Sequence, residues 1–311
     1  MAFHCTLLSL VGAVVVAVGV FRLLRFLRLV YVCPGHNLKR RYAAAGDWAV
    51  VTGGTEGIGQ AMVLDLARRG FNVCLIARTQ EKINAVAEEV EKMGVKAKGI
   101  PFDFAAAGDR EYKQLFVELG GLNVGLLVNN VGVNYTYANY FDETDLQDDM
   151  RIIKVNCEAT VRMTKFLVTH MKAKGAGGIV LLGSFSAVVP TPLLATYAGS
   201  KAFNVSFGEA LTYELRQYGV DVLVVTPNLV VSRMTQGAST RKPKETFVTV
   251  GAAAMARQTL DKLGVVGRTA GHRNHMLIEG IARIVPESIL GGKLLEMHKN
   301  IKRRAERKRN E

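Results

Sequence analysis

The chain has 311 residues, of which 49% are hydrophobic and 22% charged, and its formal net charge is +13. That size and apolar content can bury a substantial core, as one large α/β domain or two smaller ones, with no need of disulfide staples. The charge sits at the two ends: residues 22–41 hold Arg22, Arg25, Arg28, Lys39, Arg40 and Arg41 without an acid, and residues 299–311 hold seven bases against Glu306 and Glu311. The basic balance therefore describes two arms and not a nucleic-acid-binding face; with neither a zinc spacing nor an aromatic-basic platform, no nucleic-acid partner is expected.

From Cys5 to Phe21 the sequence CTLLSLVGAVVVAVGVF is uncharged and runs straight into RLLRFLRLVYV. Snorkelling arginines and the leucines beyond them extend this run toward the roughly 20 residues of a membrane span. A cleaved signal peptide carries its positive charges ahead of the apolar run, and here they follow it. Residues 3–30 therefore read as a transmembrane anchor with its basic flank, and residues 31–45 as a linker. By the positive-inside rule the rest of the chain stays cytosolic. Cys5, Cys33, Cys74 and Cys157 are scattered with no Cys-x-x-Cys, which fits reduced thiols in that compartment.

Residues 46–270 read as one α/β domain. WAVVTGG, TEGIGQAMVLDLARRG and FNVCLIAR alternate as strand, helix and strand, and the pattern continues through KAKGIPFD, NVGLLVNNVG, GGIVLLGS and GVDVLVVTP. Repeated β-α units of this length predict a doubly wound parallel sheet of Rossmann type, whose ligands sit at the carboxyl ends of the strands. At the end of the first strand lies TGGTEGIG, residues 52–59, where Gly53, Gly57 and Gly59 let the backbone turn sharply and approach a pyrophosphate at a helix N-terminus. The second strand closes in Ala77-Arg78, with no carboxylate to take the ribose hydroxyls of NAD. Arg78 instead suits a 2′-phosphate, so NADPH/NADP+ is the expected cofactor; the plain alternative is a solvated arginine opening a helix.

In LLATYAGSKAF, residues 193–203, Tyr197 and Lys201 fall one helical turn apart on one face. A nearby cation lowers a phenol's pKa, which suits an acid that must release a proton near neutral pH. By composition about half a Tyr-x-x-x-Lys match is expected by chance, so the pair alone decides nothing. The ordered set does. TGGTEGIG, Asp103 after the third strand, NNVG at 129–132, Asn156 in a helix, Ser184 thirteen residues before Tyr197, and YAGSK together resemble the short-chain dehydrogenase/reductase family over about residues 46–235. Two positions depart from the family pattern: Val131 stands for alanine in the Asn-Asn-Ala-Gly turn, and Asn228 for glycine after Pro227.

The resemblance implies the site. Tyr197 would donate a proton to a substrate carbonyl oxygen and Ser184 would hydrogen-bond that oxygen. Lys201 would lower the tyrosine pKa and bind the nicotinamide ribose, and Asn156 would hold a water that relays protons to Lys201. Gly53, Thr55 and Ile58 would border the cofactor phosphates, Asp103 and Asn130 its adenine and ribose, and Val230 the nicotinamide end beside Tyr197 and Lys201.

A narrower resemblance rests on the anchor followed by NLKRRY, on NNVGVNY, on VVPTPLLATY and on TAGHRNHMLIEGIARIVPESI. These look like the membrane-bound branch that holds very-long-chain 3-oxoacyl-CoA reductases and the 17β-hydroxysteroid dehydrogenases of types 3 and 12. It implies NADPH-dependent reduction of long-chain 3-oxoacyl-CoA to 3-hydroxyacyl-CoA in microsomal fatty acid elongation, in the endoplasmic reticulum membrane with the catalytic domain cytosolic. The partners it implies are a fatty acyl-CoA or other lipophilic carbonyl substrate and the membrane, with other elongation enzymes and a second copy of the chain as further candidates. The rivals are a 17β-hydroxysteroid or retinoid dehydrogenase and, in another class, a non-catalytic lipid-surface or nucleotide-sensing protein. The intact Asn156, Ser184, Tyr197 and Lys201 weigh against the last.

No seventh strand is legible near the end. Residues 271–298 read as helical, and the Leu- and Ile-rich stretch 276–297 carries Glu279, Arg283 and Glu287, which fits an interfacial hairpin or core packing better than a second span. His272 and His275 form the one close histidine pair, with no third ligand, and read as a polar turn; no metal is expected. The basic tail, residues 299–311, resembles an endoplasmic-reticulum retrieval signal, although Arg309 stands where a dilysine signal has lysine; a solvated tail near anionic lipid is the alternative. Arg233, Arg241, Lys242 and Lys244 follow Pro227 in the expected substrate loop, where they would meet CoA phosphates or simply solvent.

Overall fold

The computed structural model describes residues 2–33, 35–236 and 243–310, and the chain divides into a unit of residues 1–34 and a unit of residues 35–311. The first unit is one helix, α1 (Ala2–Tyr31). Its stretch Leu10–Tyr31, 22 residues, is long and apolar enough to cross a membrane, since at 1.5 Å per residue it reaches ~33 Å. Among the described residues no other helix meets that criterion.

In the second unit a short α2 (Leu38–Arg41) precedes a regular alternation: β1 (Trp48–Thr52), α3 (Gly57–Arg68), β2 (Asn72–Ala77), α4 (Gln80–Glu91), β3 (Ala97–Pro101), α5 (Asp109–Gly120), β4 (Val124–Asn129), α6 (Leu146–Ile153), α7 (Ala159–Lys174), β5 (Gly177–Leu182), α8 (Ala195–Arg216) and β6 (Val220–Val225). A four-residue α9 (Arg233–Gln236), then α10 (Ala252–Leu260), β7 (Arg268–Thr269), α11 (Arg273–Ala282) and α12 (Glu287–Asn310) complete it. All strands are parallel, in the order β3-β2-β1-β4-β5-β6-β7. The doubly wound sheet is thus as expected, with a seventh strand of two residues that has too little sequence to show a pattern.

The central strands are apolar up to their carboxyl ends, where Thr52 and Asn129 stand, because helices cover both faces. Ala49, Val51, Leu75, Leu126 and Val128 point into one core with Met62, Leu66, Val86 and Met255 from α3, α4 and α10. Val50, Cys74, Ile76 and Leu127 alternate into the other, with Tyr112, Leu115, Met163 and Val205 from α5, α7 and α8. Between β1 and β4 the strand order reverses, which opens a crevice at their carboxyl ends.

Two segments differ from the sequence expectation, the stretch expected as a linker and the C-terminal boundary, while Glu279 in 276–297 packs into the core. Leu38, Tyr42 and Ala45, inside the stretch expected as a linker, are buried, and the Tyr42 hydroxyl donates to Asp221 at 3.0 Å while Arg41 pairs with the same carboxylate at 2.6 Å. The acid of 276–297 is explained by pairing: Glu279 on α11 is buried, accepts from Thr226 at 2.6 Å and ion-pairs with Arg283 at 2.7 Å. The boundary expected at residue 298 falls inside α12, because KNIKRRAERKRN is rich in helix-forming Lys, Arg, Ala and Glu.

Candidate active site

The crevice is lined first by the turn after β1. Gly53 and Gly57 take φ of +67° and +56°, a conformation that favours glycine, and a Cβ on Gly59 would stand 2.1 Å from the Gly53 carbonyl oxygen. The N-cap residue of α3, Glu56, makes no side-chain cap; its carboxylate pairs with Lys82 and lies 3.5 Å from Arg233. A tight glycine cradle thus faces the uncapped N-terminus of a 12-residue helix, an arrangement that fits a dinucleotide's pyrophosphate. Thr55 and Ile58 are half-buried in this turn, and Asn130 pins it from β4: its amide donates to the carbonyls of Thr52 and Gly53, both at 3.0 Å. Asn130 therefore shapes the cradle with its side chain.

Arg78 follows β2 with an exposed guanidinium, and Asp103 follows the neighbouring β3, where its carboxylate accepts from the Ala105 N–H at 2.9 Å. Both stand at strand ends on the same side of the crevice. Val230 is buried, and its backbone bridges to Val250 beside the loop that follows β6.

The polar cluster lies across the crevice, between β5 and α8. Ser184 follows β5, and its Oγ sits 2.6 Å from Ser186 Oγ. Tyr197 and Lys201 occupy the first turns of α8, 9% and 4% exposed, with Lys201 Nζ 5.9 Å from the phenol centroid. The Lys201 ammonium donates to the Leu182 carbonyl at 3.1 Å. Between α6 and α7 the helix widens into a π-turn over Lys154–Glu158, which places Asn156 inside. Its amide donates to Val133 O at 3.0 Å and Ser200 Oγ at 2.9 Å, and its Oδ1 accepts from the Val133 N–H at 2.8 Å. Ser200 in turn donates to Tyr197 O at 2.7 Å. A Cβ on Gly132 would lie 3.0 Å from Lys201 Nζ and 3.3 Å from Asn156 Oδ1, so the Asn-Asn-Val-Gly turn closes directly on the cluster. Four motifs separated in sequence are thereby joined in one hydrogen-bonded group.

Burial works against the lowering of the tyrosine pKa expected from the neighbouring lysine. Burial pushes the Tyr197 phenol up, and the Ser184 hydrogen bond opposes it only in part. Burial lowers Lys201 to about 8. The lysine's bond to Leu182 directs its charge toward a carbonyl, and desolvation of the phenol outweighs the favourable polar contact. Tyr197 therefore holds its proton at neutral pH, the form a proton donor needs.

His275 was not legible as a residue that anchors a loop. It is 1% exposed, accepts from the Asn228 N–H at 3.2 Å and donates through Nε2 to Val248 O at 2.9 Å, so it ties both sides of the loop after β6 to α11. His272 is buried too, caps α11 by accepting from the Asn274 N–H at 3.2 Å, and is lowered to about 4 chiefly by burial. These are buried structural groups, where the sequence suggested a polar turn. Of the basic loop residues, Arg233 lies against Glu56, Lys244 is exposed, and Arg241 and Lys242 fall outside the described residues.

A glycine cradle at a sheet switch point, joined to a Ser-Tyr-Lys-Asn group, defines an oxidoreductase of the short chain dehydrogenase family. The family's sequence model matches residues 47–243, and the chain belongs to it. Among named relatives, a very-long-chain 3-oxoacyl-CoA reductase of Aspergillus fumigatus is 34% identical over 96% of this chain and 88% of its own length. Of solved structures, a 7beta-hydroxysteroid dehydrogenase superposes with a TM-score of 0.74 over 83% of this chain and 99% of that one, at 23% identity, which speaks for the fold alone. A Beutenbergia cavernae protein described as an NAD(P)-dependent gluconate 5-dehydrogenase, with NADP bound at low occupancy, is 28% identical and has a TM-score of 0.64 over 72% of this chain and 94% of that one.

Proposed function

We propose that this chain reduces long-chain 3-oxoacyl-CoA to 3-hydroxyacyl-CoA with NADPH, from the cytosolic face of the endoplasmic reticulum membrane, in fatty acid elongation. The observation that carries the proposal is the intact Asn156, Ser184, Tyr197 and Lys201 group in a chain similar over 96% of its length to a 3-oxoacyl-CoA reductase. The exposed Arg78 beside the cradle supports a cofactor with a 2′-phosphate. The apolar Leu10–Tyr31 helix with its arginines supports a membrane anchor.

When bound, the nicotinamide supplies a hydride to the carbonyl carbon. Tyr197 delivers its hydroxyl proton to the carbonyl oxygen as negative charge develops there, and Ser184 Oγ donates a second hydrogen bond to the same oxygen. Lys201, which burial brings down to about 8 and which keeps its proton at neutral pH, stabilises the phenolate that Tyr197 becomes. Asn156, its side chain fixed by Val133 and Ser200, holds the relay water beside Lys201. Val188, Val189, Pro190, Pro192 and Leu193, between Ser184 and Tyr197, offer an apolar wall for the acyl chain.

The test is NADPH consumption by detergent-solubilised protein against 3-oxoacyl-CoAs of increasing length and 17-ketosteroids. Greater kcat/KM for long 3-oxoacyl-CoAs is expected. A clear steroid preference with no 3-oxoacyl-CoA reduction overturns the substrate and leaves the carbonyl chemistry standing.

A further inference from the structure

Two loops flank the first turn of α8. One, residues 188–194, leads into the helix just before Tyr197; the other, residues 134–144, follows β4. They are joined where the Asn139 N–H donates to Leu193 O at 3.0 Å. The second loop is braced from behind by Asp149, which accepts from the Tyr135 hydroxyl and from Thr144 Oγ1, the latter at 2.7 Å. Leu193 is the one non-glycine among the described residues with a left-handed backbone, φ +66°. An L side chain keeps that conformation only where its surroundings hold it.

The C-terminal helix contacts the residues beside Leu193, Pro190 and Pro192, and also Asn139, which bonds Leu193 directly. His298 on α12 is 6% exposed, and its Nδ1 donates to the Pro192 carbonyl at 2.7 Å. One turn further along the same face, Lys302 donates to Asn139 Oδ1 at 2.6 Å, ion-pairs with Glu143, and is steadied by Glu306 at 2.8 Å. Two turns before His298, Gly291 lies against the same turn: a Cβ there would be 3.5 Å from Pro190 Cβ. Residues 291, 298 and 302 share one helical stripe, so a single face of α12 grips the first loop at Pro190 and Pro192 and the second at Asn139 and Glu143. The turn it grips is the apolar stretch between Ser184 and Tyr197. Tyr197 is itself set by α8 and Ser200, so the gripped turn is free to differ in shape while the reacting group stays in place.

We propose that α12 is a strap that shapes the acyl-chain wall, with His298 and Lys302 as positioning residues that make the site specific for long chains. This rests on the acyl-CoA reading of the site. Losing either grip relaxes Leu193 and the wall around the chain beyond the reacting carbonyl, while the carbonyl and the catalytic group are untouched. Long substrates then lose binding and short ones do not.

The experiment compares detergent-solubilised full-length His298→Ala and Lys302→Ala with the conservative His298→Gln and Lys302→Arg, using 3-oxobutanoyl-CoA and 3-oxohexadecanoyl-CoA. Each alanine variant is expected to raise KM for the long substrate about tenfold, as for a lost hydrogen bond to a constrained turn, with kcat and the short-substrate KM within about twofold. The conservative variants, which keep a donor, restore the long-substrate KM. Amide hydrogen exchange over residues 187–195 and 137–144 is expected to quicken in the alanine variants. Equal KM changes for both chain lengths, or unchanged exchange in these two segments, would overturn the strap. Should the wild-type protein reduce neither thioester, the acyl-CoA reading falls, and the exchange measurement alone decides whether α12 holds the turn.

Discussion

Lys201→Met removes a buried ammonium while keeping most of the side-chain volume. Burial lowers the Lys201 pKa from 10.5 to about 8, and at 1.36 kcal/mol per unit that shift corresponds to about 3 kcal/mol. Below pH 8 folded and unfolded chains both hold the proton, and the folded state carries the full desolvation cost. Between pH 8 and 10.5 the folded chain has released the proton and the unfolded chain still holds it, so stability rises with pH; above 10.5 the cost is gone. Methionine carries no such cost but gives up the bond to Leu182, worth ~1 kcal/mol. In nucleotide-free protein the variant should therefore be more stable than wild type near pH 7 by about 2 kcal/mol, or ~4–8 °C in Tm for a domain of this size. The advantage should vanish as pH approaches 10.5. Thermal unfolding of detergent-solubilised protein, followed by the fluorescence of Trp48, the single tryptophan, measures both. Groups common to the two proteins cancel in the difference. A variant less stable than wild type at pH 7, or a Tm difference that stays flat with pH, would refute the burial argument.

Arg78→Ala should weaken NADPH binding by about 1.5–3 kcal/mol, the scale of a charged hydrogen bond, and leave NADH binding nearly unchanged; equal losses in titrations of the two cofactors would remove Arg78 from the phosphate. In intact microsomal vesicles, added protease should degrade residues 46–311, because the basic flank of the anchor stays cytosolic; protection that ends only with detergent would mean the opposite orientation.

The chemistry was legible in the sequence where short-range pattern carries it. The glycine turn, the strand ends and the Tyr197–Lys201 pair are local features, and the β-branched runs between them mark a parallel sheet buried on both sides. What stayed hidden depends on partners far apart in the chain. That the Asn130 amide braces Thr52 and Gly53 shows only in the folded chain. His275 looks like part of a polar turn until Asn228 and Val248 close on both ring nitrogens. The direction of the Tyr197 shift depends on how deeply the phenol is buried, which helical spacing does not report. The grip of α12 on Pro192 and Asn139 spans more than a hundred residues, so no window of sequence contains it.

The proton transfer from Tyr197 is tested most directly by turnover of Tyr197→Phe, measured beside its NADPH affinity. The ring and its packing on α8 are kept and only the hydroxyl is lost, so cofactor affinity and Tm should stay close to wild type. Turnover should fall by at least ~10²-fold and up to ~10⁴-fold, the range of general-acid catalysis. Near-wild-type turnover with intact cofactor binding would contradict the assignment of Tyr197 as the proton donor.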